Sequence, residues 1–149
     1  MIKPFQKRYL LPTLISSGLM LMGASSLSAQ ITNPIVAHIH HKFTVANVTL
    51  PPGTYTFQMM PGTDLTVMTV TNKEGTMSDE FLVRESEDSH VPKHSELVFN
   101  RYDGHEFLTH VYEQGSRIGV SVVETSREEL RLQKQGKHPY EHTEEQSGS

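Results

Sequence analysis

Asp103-Gly104 sits between two runs rich in β-branched and aromatic residues, Leu97–Tyr102 and His105–Tyr112. A two-residue type I′ loop needs positive φ at both central positions, which Asp-Gly tolerates at little cost. This dipeptide therefore predicts a β-hairpin and places the chain in the β class. It also sets the register. Arg101 faces Glu106, Tyr102 faces His105 and Phe99 faces Leu108, with cross-strand pairs of this kind contributing roughly 0.2–1 kcal/mol each. One face then carries Leu97, Phe99 and Leu108, the other Val98, Tyr102, Phe107 and Val111. Neither is polar, so the hairpin is expected inside a sheet with partial cover on both sides.

The strands expected around the hairpin follow from period-two alternation. From Ile35 the odd positions run Ile35, Ala37, Ile39, His41, Phe43, Val45, and the even ones include His38, His40 and Lys42. This reads as one half-buried strand, or two with a bend near His41, with His38, His40 and Lys42 facing solvent. Pro52-Gly53 and Pro61-Gly62 suit type II turns. Tyr55, Phe57 and Met59 alternate along a second strand, Leu65–Thr71 forms a third, and Met77–Arg84 a fourth after a turn at Asn72–Gly75. Glu85–Ser95 is polar, contains Pro92 and reads as a surface loop. Gln114-Gly115-Ser116 turns the chain into a last strand, Ile118–Val123. About seven short strands suggest an antiparallel sandwich or small barrel. Ser126 with Glu129 three residues on reads as a capping box for a short C-terminal helix that runs to Gln135, has Leu130 as its main apolar contact, and stops at Gly136.

Both ends of the 149-residue chain read differently. Lys3, Lys7 and Arg8 precede an apolar run, Tyr9–Met22, and a small-residue stretch ending at Ala29. That is the pattern of a secretory signal peptide over residues 1–29, with cleavage after Ser28 or Ala29. The apolar run is short of the ~20 residues a membrane span needs. Removal leaves about 120 residues, an ordinary size for one domain: a β-domain with its helix over 30–136. The tail, 137–149, is polar and expected to be disordered. The expected location is periplasmic or secreted, with no membrane span after cleavage.

Net charge is −4, and losing a basic leader makes the remainder more acidic. An acidic domain without a basic stripe argues against nucleic acid as a partner. The chain has no cysteine, which removes disulfides, an N-terminal lipid-bearing Cys and a thiol nucleophile.

No complete catalytic set is legible, and no cofactor is expected. His38 and His40 share one strand face and are the candidate metal ligands, because alternate strand residues point the same way. A third ligand would have to come round in space, from His90, His94, His105 or His110. His138–His142 spells the inverted zinc-protease string H-x-x-E-H, but it lies in the polar tail instead of on a packed helix. Gly119–Val123 resembles a nucleophile elbow without its second glycine, and Ser121 reads as a strand residue. Met59, Met60, Met68 and Met77 read as core filler ahead of Cu(I) ligands. Tyr55, Tyr102, Phe107 and Tyr112 read as core ahead of a carbohydrate platform.

Phe43-Thr44-Val45, the L-P-x-G-x-Y segment Leu50–Tyr55, and the L-V-F-x-R-Y segment Leu97–Tyr102 with Phe107-Leu108 resemble small exported bacterial proteins of unknown function. Those proteins share a signal peptide, these segments and a Ser/Arg/Glu-rich C-terminal helix. The resemblance spans nearly all of the mature chain, with Asp-Gly here where those proteins tend to have Gly-Asp. It implies export and fold, and supplies no catalytic residues. The expected function is a non-enzymatic envelope module that binds a protein or glycan. The alternative is a periplasmic metal-binding protein using surface histidines.

Overall fold

A computed structural model describes residues 31–61 and 66–147. The expected leader and Gly62 lie outside the described residues. The fold is mostly β: β1 Ile35–Ile39, β2 Phe43–Val45, β3 Val48–Leu50, β4 Gly53–Met59, β5 Val67–Asn72, β6 Ser78–Glu87, β7 Glu96–Tyr102, β8 His105–Tyr112, β9 Ile118–Val122, then helix α1 Arg127–Lys134 and β10 Tyr140–Glu145.

β1, β4, β5 and β6 form an antiparallel sheet in that order. β6 belongs to two layers. Its first half, Ser78–Leu82, pairs with β5, and its second half, Val83–Glu87, pairs with β9. From β9 the second sheet continues through β8 and β7 to β10. β2 lies parallel to the start of β8, with Phe43 opposite Glu106, which makes an otherwise antiparallel sheet mixed at this one pairing among the described residues. The strand path is not closed into a barrel. Just beyond β10 the chain meets β1, where Ser147 N–H donates to the Val36 carbonyl (3.0 Å). Inward residues of both layers, among them Ile39, Phe43, Phe57, Met68, Phe99 and Val111, merge into one core.

The Asp103-Gly104 turn has φ of 43° and 88°, and the register around it is the expected one. Further along, the pairing slips: Phe99 opposes Leu108, but Val98 opposes His110. Thr109 is thus the extra residue of a β-bulge, and its hydroxyl donates to the Val98 carbonyl (3.0 Å). The bulge reverses the parity of β8, so Val111 joins Leu97 and Phe99 on the core face instead of Phe107 on the other.

The opposite face of the hairpin is covered by α1. Leu132 packs on Tyr102 and Phe107, while Leu130, the expected contact, is exposed. Half of the capping box forms: Ser126 Oγ accepts from Glu129 N–H (3.0 Å). The Glu129 carboxylate turns instead to the sheet, where it accepts from Asn100 Nδ2 (2.8 Å) and the Tyr102 hydroxyl (3.2 Å).

Three further expectations are corrected. Gly53 has no positive φ; it starts β4 opposite Ile39, so Pro52-Gly53 is not a type II turn. The strands number ten instead of about seven among the described residues, because β2 separates from β1 at the predicted bend, β3 forms, and the tail contributes β10. That tail is not disordered over 140–145: it pairs with β7 from Tyr140–Arg101 to Glu145–Glu96. An edge strand facing water needs backbone partners and no apolar stripe, so its polar composition concealed it.

Candidate metal centre

β8 places Glu106 on the core side of the hairpin, where parity fixes it beside Leu108 and opposite Arg101. Its side chain is 1% exposed. A carboxylate so far from water needs charged or hydrogen-bonding partners. Three side chains supply them. Arg101 Nε lies 2.9 Å from Oε1. His142 Nδ1 hydrogen-bonds to Oε2 at 2.9 Å, and His41 Nε2 lies 3.0 Å from the same oxygen. The Arg101 and His41 contacts are off-line for a hydrogen bond; Arg101 acts through its charge, and His41 lies against the carboxylate by packing.

Each imidazole turns its other nitrogen outward to one acceptor. His41 Nδ1 and His142 Nε2 both lie 3.7 Å from Glu144 Oε1. One donor atom from each of His41, His142 and Glu144 falls within 4.8 Å of the others. The two rings stand 5.1 Å apart at 48°, and Phe99 packs against both, at 5.7 Å and 6.3 Å.

The placement follows from the chain. His41 sits in the bend between β1 and β2, on the parity of Ile39 and Phe43, so it turns inward. His142 and Glu144 are two apart on β10 and share a face. β10 brings both to the hairpin because Tyr140 pairs with Arg101 and His142 with Phe99.

Chemically, two imidazoles and one carboxylate are a ligand set for Zn²⁺ and neighbouring divalent ions. At Zn–N and Zn–O lengths of about 2.0–2.2 Å, tetrahedral ligand atoms stand about 3.4 Å apart, against 3.7 Å from each imidazole nitrogen to Glu144 Oε1. Glu106 lies against the second nitrogen of each imidazole, the position from which an outer carboxylate would orient the two histidines toward an ion. Burial pushes the His41 imidazole below its ordinary value, outweighing the nearby Glu106 carboxylate that pulls it upward. At neutral pH that leaves a lone pair for a ligand.

His38 and His40 lie elsewhere. Both are exposed, their rings meet edge to face at 4.6 Å, and His38 Nδ1 is 2.9 Å from Thr54 Oγ1. The three-ligand group found among the described residues includes neither. His142 is the last residue of the H-x-x-E-H string, but it lies on strand β10, so the facing of i and i+4 histidines that the string needs on a helix does not arise. Ser121 lies in β9 and accepts from Arg84 Nε (3.3 Å). Tyr55, Tyr102, Phe107 and Tyr112 are buried, so they form no exposed platform. Signals for the missed ligands were present: a histidine on core parity at 41, a charged pair at 101 and 106 among apolar neighbours, and an alternating His-x-Glu at 142 and 144.

No known protein family, curated protein or solved structure matches this chain.

Proposed function

We propose that the protein is an exported, non-enzymatic β-domain of the cell envelope that binds a divalent transition-metal ion through His41, His142 and Glu144. The observation that carries this reading is the two-sided arrangement of the imidazoles. One nitrogen of each meets buried Glu106, and the other lies 3.7 Å from Glu144 Oε1. Glu106 is shut from solvent beneath the rings, so it does not stand where a general base would activate a metal-bound water. Export is supported by the basic, apolar and small-residue succession of residues 1–29.

Calorimetric titration of the untagged, chelator-treated protein with Zn²⁺ tests the reading. One ion per chain is expected, lost in His41→Ala and in His142→Ala and kept in His38→Ala/His40→Ala. No zinc uptake by the wild type ends it. A second reading, a protein or glycan ligand, is favoured by an open trough across β1, β4 and β5 lined by Thr54, Thr56, Gln58, Thr69 and Thr71. Its test is whether Thr56→Lys abolishes retention on immobilised envelope glycan or protein.

A further inference from the structure

β10 is attached to the domain by its backbone ladder and by few side chains. None of its six residues is buried. Tyr140 is 57% exposed and touches the body through Arg101, whose guanidinium carbon lies 5.8 Å from its ring centre. At the far end Glu145 stands opposite Glu96, a like-charge cross-strand pair that opposes docking. His90 Nε2, 3.2 Å from Glu96, offsets part of that repulsion. What remains is the cluster itself: His142 on Glu106, and Glu144 facing His41.

The segments beside β10 suit a strand that leaves and returns as a unit. Gly136, at φ 77°, breaks the chain direction after α1. Lys137 Nζ holds Asp103 Oδ2 at 2.7 Å, anchoring the base of the strand to the hairpin loop. Beyond β10, Gln146 N–H and Ser147 N–H donate to the carbonyls of Ser95 and Val36.

Two of the three ligands ride on β10 and the third, His41, stays with the body. We infer that the centre is a metal clamp on a detachable C-terminal strand: the bound ion holds β10 on β7, and loss of the ion frees it. The inference rests on the metal reading above. When β10 departs, the body retains one ligand, so the ion binds the closed form alone. Closure and binding are then linked, and the open population falls by the factor 1 + [M]/Kd, about 100-fold when free ion is 100 times Kd.

Amide hydrogen exchange on the full protein, with Zn²⁺ and with chelator, tests this. The ladder-bonded amides of residues 141–145 are expected to exchange faster in chelator than those of β4 and β5, and about 100-fold more slowly once free Zn²⁺ stands at 100 times the calorimetric Kd. His41→Ala, which removes the body's one ligand and leaves β10 its contact with Glu106, is expected to abolish the zinc effect, so that β10 exchanges at the same rate with Zn²⁺ as with chelator. If zinc binds but β10 exchange is unchanged, or if in chelator the β10 amides exchange no faster than those of β4 and β5, so that the strand opens only with the whole domain, the clamp is overturned and the metal site stands. If zinc does not bind, both fall, and calorimetry shows which failed first.

Discussion

Glu106→Gln is the most informative single change. It keeps side-chain volume, so no cavity forms, and removes the one full negative charge that Arg101, His41 and His142 share. Hydrogen bonds to charged groups contribute about 1.5–3 kcal/mol each, and breaking a buried pair costs about 3–5 kcal/mol. Here the partners temper that figure. The side chains of Arg101, His142 and His41 are 35%, 28% and 21% exposed, so each regains water once the charge is gone. Gln also keeps a carbonyl oxygen for one donor. A loss of about 3 kcal/mol is expected. Unfolding entropy of about 2.1 cal/mol/K per residue over about 115 folded residues makes this a fall in Tm of about 12 °C. Urea unfolding in chelator, monitored by fluorescence of the tyrosines, reads it without contribution from metal. A double-mutant cycle with Arg101→Met is expected to return a coupling of about 1–2 kcal/mol. If Glu106→Gln unfolds within about 0.5 kcal/mol of the wild type, the scatter of an ordinary surface change, the view that a shared buried carboxylate holds these three side chains together is refuted. Strict additivity with Arg101→Met would refute it equally.

Other expectations come from single sites. In Gly119→Ala the new Cβ would run into the Val111 carbonyl oxygen and the Tyr112 ring, and the first of these clashes is relieved only by moving the backbone. A loss of about 3 kcal/mol in urea unfolding is expected, and an unchanged midpoint would contradict the packing of β9 on β8. Glu129→Ala leaves Asn100 Nδ2 and the Tyr102 hydroxyl without their acceptor in a nearly dry site. It is expected to cost about 2–3 kcal/mol, and Glu129→Gln, which keeps an acceptor, about half as much. The His90 backbone N–H, with side-chain donors from His90 and Ser89, holds the Asp88 carboxyl down at about 2. A depressed folded pKa stabilises above the unfolded value and is lost as pH falls through the folded one. An acid titration of stability should therefore show an Asp88 contribution of up to about 1 kcal/mol disappearing between about pH 4 and 2, and absent in Asp88→Asn.

How much was legible in the sequence differs between fold and site. Asp103-Gly104 declared the hairpin because the two dihedrals it needs are a local property of those residues. Alternation from Ile35 showed a strand with a bend near His41. The bulge at Thr109 was not legible, since an inserted residue is visible only against its partner strand, and without it Val111 falls on the wrong face. Leu130 has the apolar character expected of the helix contact, yet Leu132 is the residue buried, because the side α1 presents depends on the Tyr102–Phe107 surface it meets. His38 and His40 are near neighbours in sequence, whereas the side chains that converge come from positions 41, 142 and 144.

The amino-acid order alone determined the β class, the hairpin and its register near the turn, and the short capped helix. Each rests on dihedral preference or side-chain periodicity over a few residues, for which neighbours along the chain suffice. The packed molecule alone decided that β6 serves two layers, that the polar tail becomes a strand, and that His41, His142 and Glu144 meet above Glu106. Those outcomes depend on backbone groups and charges roughly 30 to 100 residues apart finding one another, and a chain carries no local mark of a distant partner.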